Sequence, residues 1–222
     1  DMTRYNLGPE GYLEHIRKAK QAVNIPIIAS LNGVSNGGWI KYAKEMEQAG
    51  ADGLELNIFY LANDPETSGE QIEEMYTSLV SHVKASIAIP VAVKLGPYFS
   101  ATANMVKKLD KAGADALVLF NRFYQPDFDL EALEVVPNLN LSSPNELRLR
   151  LHWVATLFGQ LKADMAITGG VHTAMDVLKS MMAGARVAMI TSAMLKNGID
   201  HVETVLADMK GKTLGAQIST TG

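Results

Sequence analysis

Several short apolar runs in this chain end in groups that can bind or polarise a ligand. In order, these ends are Asn32, Asn57, Lys94, Asn121, Thr168 with Gly169 and Gly170, and Thr191 with Ser192. Lys94 closes the run Pro90-Val-Ala-Val and is followed by Leu95-Gly-Pro97. A lysine in that position is costly to bury unless it is paired. It reads either as half of a structural ion pair, with Glu55 as the partner, or as a fixed cation facing an electron-rich ligand. Gly169-Gly170 and Thr191-Ser192 suit an anion. Glycine permits close backbone approach, and a helix N-terminus aims N–H groups at negative charge. The same residues also suit two ordinary turns, and each Asn taken singly is as readily a turn or cap residue. The argument for a site is that all these ends are polar, after interiors of Ile, Val, Leu and Ala.

The elements that must position these ends are set by a repeat. Asn24-Ile-Pro-Ile-Ile-Ala-Ser30 is echoed by Ala88-Ile-Pro-Val-Ala-Val-Lys94. Ala49-Gly-Ala-Asp52, leading to Asn57, is echoed by Ala112-Gly-Ala-Asp115, leading to Asn121. A degenerate third copy runs through Met165-Ala-Ile-Thr168 and Ala183-Gly-Ala-Arg186. Each copy holds two apolar runs that feed helices, so it is a pair of strand–helix units. Helices are expected over 10–23, up to Gly50, and over 68–87, 100–112, 143–161 and 173–182, with a last one ending near Lys210. Strands are expected over 26–31, 54–57, 91–95, 116–120, 165–168 and 187–190. Residues 122–142 break the rhythm as an excursion with a hairpin, and Ser143-Pro-Asn-Glu146 is a capping box that starts the next helix. Alternating strands and helices mean α/β with a parallel sheet. The reading is a (β/α)8 TIM barrel, incomplete, with about six of its eight βα units. Active sites of such barrels lie at the C-terminal strand ends. A doubly wound open sheet is the alternative, but no G-x-G-x-x-G follows the first strand. Residues 1–212 are read as one partial domain and 213–222 as a flexible tail.

Composition excludes several classes. The 222 residues carry a formal charge of −4, with no basic run to suit nucleic acid or an anionic membrane surface. No apolar run approaches the ~20 residues of a membrane span. Cysteine is absent, which removes disulfides, Cys-ligated zinc, iron–sulfur clusters and a Cys nucleophile. That usage agrees with a cytoplasmic protein. His15, His82, His152 and His201 fall on expected helices without metal spacing, so no metal site is expected. His172 is either a further ligand contact or a helix N-terminal residue. The chain opens on Asp1 and on a helix, as a barrel would if its first strand pair were cut away.

These residues resemble the dihydroorotate dehydrogenase family of FMN-binding barrels, over about 25–210. The resemblance is carried by Glu55-Leu-Asn57, Val91-Ala-Val-Lys94-Leu, Leu119-Phe-Asn121, Leu141-Ser-Ser143, Thr168-Gly-Gly-Val171 and Thr191-Ser-Ala193. Phe120-Asn-Arg-Phe-Tyr-Gln-Pro-Asp127 and Lys94-Leu-Gly-Pro-Tyr98 are closest to the bacterial dihydroorotate dehydrogenase-like branch. The resemblance implies an oxidoreductase of pyrimidine biosynthesis that oxidises dihydroorotate to orotate, passing hydride to flavin N5. It implies that Lys94 contacts the flavin near N1 and O2, and that Asn57 and Asn121 bind substrate and flavin. Ser142 and Ser143 would border the flavin, although the family usually has Gly where Ser143 stands. Backbone groups of Gly169, Gly170, Thr191 and Ser192 would hold the phosphate. It also implies a small-molecule substrate and is compatible with a homodimer.

One departure concerns the chemistry directly. The family takes the substrate C5 proton with a Cys or Ser three residues after the Asn that corresponds to Asn57. Here that position is Tyr60. A phenol with a reference pKa of about 10 is a poor base at neutral pH. The residues therefore leave two other readings open. One is a phosphate-binding aldolase, isomerase or synthase, with Lys94 as a Schiff-base lysine. The other is a barrel that holds flavin without acting on dihydroorotate.

Overall fold

The structure is a computed structural model that describes residues 8–32, 36–122, 126–136, 138 and 140–216. The larger sheet joins β1 (Ile28–Asn32), β2 (Gly53–Asn57), β3 (Val91–Leu95), β4 (Ala116–Leu119), β7 (Asp164–Thr168) and β8 (Val187–Met189) in that order. A separate antiparallel hairpin, β5 (Asp127–Asp129) and β6 (Glu134–Val136), fills the expected excursion. Every strand of the larger sheet neighbours its predecessor in sequence, and β1–β2, β2–β3 and β7–β8 are parallel. A doubly wound sheet reverses its order at a switch point. This one does not, so the fold is the incomplete (β/α)8 barrel. Among the described residues the sheet has six strands, where a complete barrel has eight.

The chain divides into two compact units. The first comprises residues 1–117 and 161–163; the second comprises 118–160 and 164–222.

In the first unit, α1 (Pro9–Ala22) starts with Pro at its first turn and buries Leu13 and Ile16. Next come α2 (Asn36–Gln48), α3 (Gly69–Ser86) and α4 (Thr102–Lys111). α3 opens on a Ser68–Gln71 capping box and buries Tyr76, Leu79, Val80 and Val83, a stripe of helical period. The repeated Ala-Gly-Ala-Asp phrase has a structural cause. Gly50 and Gly113 take φ of +96° and +102°, which ends each helix. The Asp then clamps the start of the neighbouring strand. Asp52 accepts Ile27 N–H at 2.7 Å and pairs with Lys20 at 2.7 Å. Asp115 accepts Val91 N–H at 2.7 Å and pairs with Lys84 of α3. The hydrogen bond from Lys20, and then that from Ile27 N–H, hold the Asp52 carboxyl below the usual aspartate range.

In the second unit, a 3-10 turn (Pro144–Glu146) leads into α5 (Leu147–Leu157). The capping box appears where expected, with Ser143 N–H donating to Glu146 Oε1 at 2.9 Å. The helix stops at Leu157 rather than near 161, because Gly159 turns the chain at φ +76°. After β7 and α6 (Ala174–Ala183), Gly184 repeats the helix stop at φ +110°. Arg186 keeps the backbone bond of the repeat, donating to Met165 O at 2.7 Å, as Asp52 does to Ile27 O and Asp115 to Val91 O at 2.8 Å. It lacks the carboxylate, which is why the third copy looked degenerate. The expected last helix is two, α7 (Ser192–Asn197) and α8 (His201–Ala216), divided at Gly198. α8 continues beyond the end expected near Lys210. Residues 217–222, the rest of the expected tail, lie outside the described residues.

Candidate active site

In the first unit the site residues follow from strand register. β1 pairs Ser30 with Glu55 and Asn32 with Asn57; β2 pairs Asn57 with Lys94. Partners in a ladder point the same way and side chains alternate along a strand. Ser30, Asn32, Glu55, Asn57 and Lys94 therefore project from one face. Ala29, Leu31, Leu54, Leu56, Val91, Val93 and Leu95 project from the other and are buried.

The polar face is organised by Glu55. Its side chain is 8% exposed and lies 3.6 Å from Lys94 Nζ, whose side chain is 20% exposed. Ser30 Oγ donates to the same Glu55 Oε1 at 3.0 Å, and Ser30 N–H donates to Tyr12 Oη at 3.0 Å. The ion-pair reading of Lys94 is thus realised. It does not exclude the ligand-facing one, because the pair lies on the face that also carries Asn57. Asn57 Oδ1 is buried and has no hydrogen-bond partner among the described residues. A buried acceptor left without a donor costs about 1–3 kcal/mol, so an N–H or O–H from a ligand fits there.

Tyr60 lies in the segment after β2 and is 41% exposed. That segment is held by α3: Tyr76 Oη donates to Ile58 O at 3.2 Å and accepts Tyr60 N–H at 3.4 Å. Burial pushes the Tyr76 hydroxyl above its usual value, so it stays protonated and remains a donor.

In the second unit the hub is Ser142, which is buried. Its N–H donates to Ser192 Oγ at 3.0 Å, and its Oγ accepts Gly170 N–H at 3.2 Å. His172 Nε2 lies 3.5 Å from the same Oγ, and Lys196 Nζ donates to Ser142 O at 3.4 Å. Of the anticipated residues, Gly170 and Ser192 are therefore each hydrogen-bonded to Ser142. Thr191 is the exposed residue just before α7, whose first turn leaves N–H groups the helix itself does not satisfy. His172 is buried; its N–H donates to Asp176 Oδ2 at 3.2 Å, and its carbonyl contacts His201 Nε2 at 2.8 Å. Asn121 is buried just beyond β4, and Ser143 serves the capping box.

The two glycines have a cause that the sequence did not reveal. Gly169 and Gly170 take φ of +88° and +82°. A Cβ on Gly170 would lie 2.3 Å from Leu147 N, and one on Gly169 would lie 3.0 Å from the Arg150 guanidinium. Both positions are required by backbone conformation and by the protein's own packing, whether or not an anion binds. Arg150, buried and not singled out from sequence, donates to Thr168 O at 3.0 Å and to Glu146 O at 2.7 Å. Its only signal was a charge within the apolar run Leu147-Arg-Leu-Arg-Leu151.

Among the described residues, no helix is long and apolar enough to cross a membrane. Residues 2–212 match the model of the family described as dihydroorotate dehydrogenase. The chain belongs to the dihydroorotate dehydrogenase family. It is 29% identical over 215 residues to an Aeropyrum pernix protein named for dihydroorotate dehydrogenase A (fumarate), an alignment covering 92% of this chain and 69% of that one. It is 27% identical over 212 residues to the dihydroorotate dehydrogenase B (NAD(+)) catalytic subunit of Thermoplasma acidophilum, covering 92% and 68%. The Thermoplasma volcanium protein of the same name is 29% identical over 201 residues, covering 87% and 64%. The chain thus spans about two thirds of the length of these relatives. The dihydroorotate dehydrogenase family is flavin-dependent in general. In the first unit, the orphaned buried acceptor and the held cation on one face fit a flavin ring; in the second, taken by itself, the serine–glycine cluster lies beside a helix start.

Proposed function

We propose that this chain carries the FMN-dependent oxidation of dihydroorotate to orotate, a reaction of the CH–CH oxidoreductase class. The observation that carries the reading is Lys94 and the orphaned Asn57 Oδ1 on one face, at opposed positions of one ladder. FMN, when bound, supplies the acceptor for the substrate's hydride. Lys94 places positive charge where the reduced ring gathers negative charge, near N1 and O2. Asn57 and Asn121 orient substrate and flavin through their amides. Ser142 and Ser143 border the flavin. Gly169, Gly170, Thr191 and Ser192 hold the phosphate: Gly169, Thr191 and Ser192 through their backbone N–H groups, and Gly170, whose own N–H donates to Ser142 Oγ, by shaping the turn. Tyr60 takes the proton-accepting position of the family. We extend the reading to a cytoplasmic enzyme that acts on a small molecule and assembles as a homodimer.

The Schiff-base alternative is less well supported. Lys94 is paired with Glu55, and an ammonium has no lone pair with which to attack a carbonyl.

The purified protein is expected to show a flavin absorption band that bleaches on anaerobic mixing with dihydroorotate. Tyr60→Phe tests the family's base position: bleaching slowed by ~100-fold would assign the proton to the phenol, and an unchanged rate would remove Tyr60 from the reaction. A protein with neither a flavin band nor FMN uptake overturns the whole reading. A band that dihydroorotate leaves unchanged overturns the substrate alone. Reoxidation rates with fumarate and with NAD⁺ then assign the acceptor.

A further inference from the structure

We propose that Glu55 is the positioning residue for Lys94: it fixes where the ammonium stands and thereby sets how strongly the site favours reduced over oxidised FMN. The inference rests on the FMN reading of the site. Lysine carries a compact charge on a flexible stem, with about 2 kcal/mol of rotamer entropy, so its location depends on what holds it. Glu55 sits two residues before Asn57, on the same face of β2, and Lys94 opposes Asn57. The carboxylate and the ammonium are therefore diagonal neighbours across one ladder, the relation in which long side chains meet. The carboxylate is itself held from the other side by Ser30 Oγ at 3.0 Å, and Ser30 is tied through its N–H to Tyr12. A chain of contacts thus runs from α1 through β1 and β2 to Lys94. A carboxylate as buried as Glu55 is maintained only when paired, so its salt bridge also restrains Lys94 from turning to solvent. Because Coulomb attraction falls with distance, a displaced ammonium stabilises a reduced ring less.

The test uses the FMN-loaded protein and the reduction potential of its bound flavin, which reports the ratio of affinities for reduced and oxidised FMN. Glu55→Ala removes the salt bridge from Lys94, and that ratio should fall about tenfold, a shift of about −30 mV for a two-electron couple. Glu55→Gln keeps an oxygen for Ser30 and Lys94 while removing the charge, so its potential should lie at or above that of the wild type. In the Lys94→Met background Glu55→Ala should no longer lower the potential, leaving it at or above that of Lys94→Met alone, because a positioning residue has nothing to place without its target. Amine acetylation of the FMN-free protein, read by mass spectrometry, should modify Lys94 faster in Glu55→Ala than in wild type. A Glu55→Ala potential at or above wild type, or additive effects in the double variant, would overturn the proposal. Either result, the second being a fall in potential of the same size with or without Lys94, would make Glu55 a mere neutraliser of charge or a structural residue. Should Glu55→Ala not fold, Ser30→Ala releases the carboxylate alone and should move both readouts in the same direction, by less. If the wild type binds no FMN, the functional reading fails, and the acetylation rates alone decide whether Glu55 holds Lys94.

Discussion

Arg150 sits among apolar residues on α5, yet its guanidinium spans two turns of backbone, with Nε on Thr168 O and Nη1 on Glu146 O. Those bonds hold the start of the Gly169-Gly170 turn against the start of α5. Arg150→Ala leaves both carbonyls without this donor and opens a cavity, so it should destabilise the protein by about 2–4 kcal/mol in denaturant melts. Arg150→Lys should recover little, because one ammonium cannot reproduce a planar fork. A loss under about 1 kcal/mol for the alanine variant would show that the turn holds itself. Arg150 and Ser30 were not legible as site-supporting residues, since each acts on groups distant in sequence. The strand-end residues were legible because chain periodicity locates strand ends. Their partners are set by register across strands, which one sequence does not state. The Lys94–Glu55 pairing was anticipated, but the lone Asn57 acceptor was not.

The strand–helix repeat was readable in the sequence because its phrases combine a helix-ending glycine with a short apolar run. The reason for its aspartates was not, because the clamp joins Lys20, Ile27 and Asp52 from three separate segments. That clamp carries a pH dependence. The folded-state pKa of Asp52 lies below its ordinary value of 3.8, through the hydrogen bond from Lys20 first and then that from Ile27 N–H. A group depressed on folding binds more protons in the unfolded chain, so stability rises with pH across its titration. The contribution is present above about pH 4 and is lost as pH falls through the lower, folded-state pKa. Asp52→Asn should therefore weaken the protein at neutral pH and flatten the acid side of its stability profile. Urea melts at a series of pH values between 2 and 7 check this. A variant whose acid limb is as steep as that of the wild type would remove the clamp as a source of acid lability.

At the scale of the molecule, the six-stranded sheet has two terminal strands. Among the described residues, β1 pairs with β2 and β8 pairs with β7, each on one side. The terminal strands carry exposed β-branched residues: Ile28 on β1 is 55% exposed and Val187 on β8 is 52% exposed. A closed barrel has no edges, and an open apolar edge is a template for another strand. Neither edge strand contains a lysine or a proline, two of the usual defences, although Asn32 ends β1 and Arg186 precedes β8. Residues 1–222 expressed alone should therefore self-associate. Sedimentation velocity over a ~100-fold concentration series should show the mean mass rising with concentration, a mass-action signature. Ile28→Lys and Val187→Lys should suppress it, because a charge on an edge strand disfavours strand addition. A chain that stays monomeric throughout and melts in one reversible transition would mean that the exposed edges are tolerated as they stand.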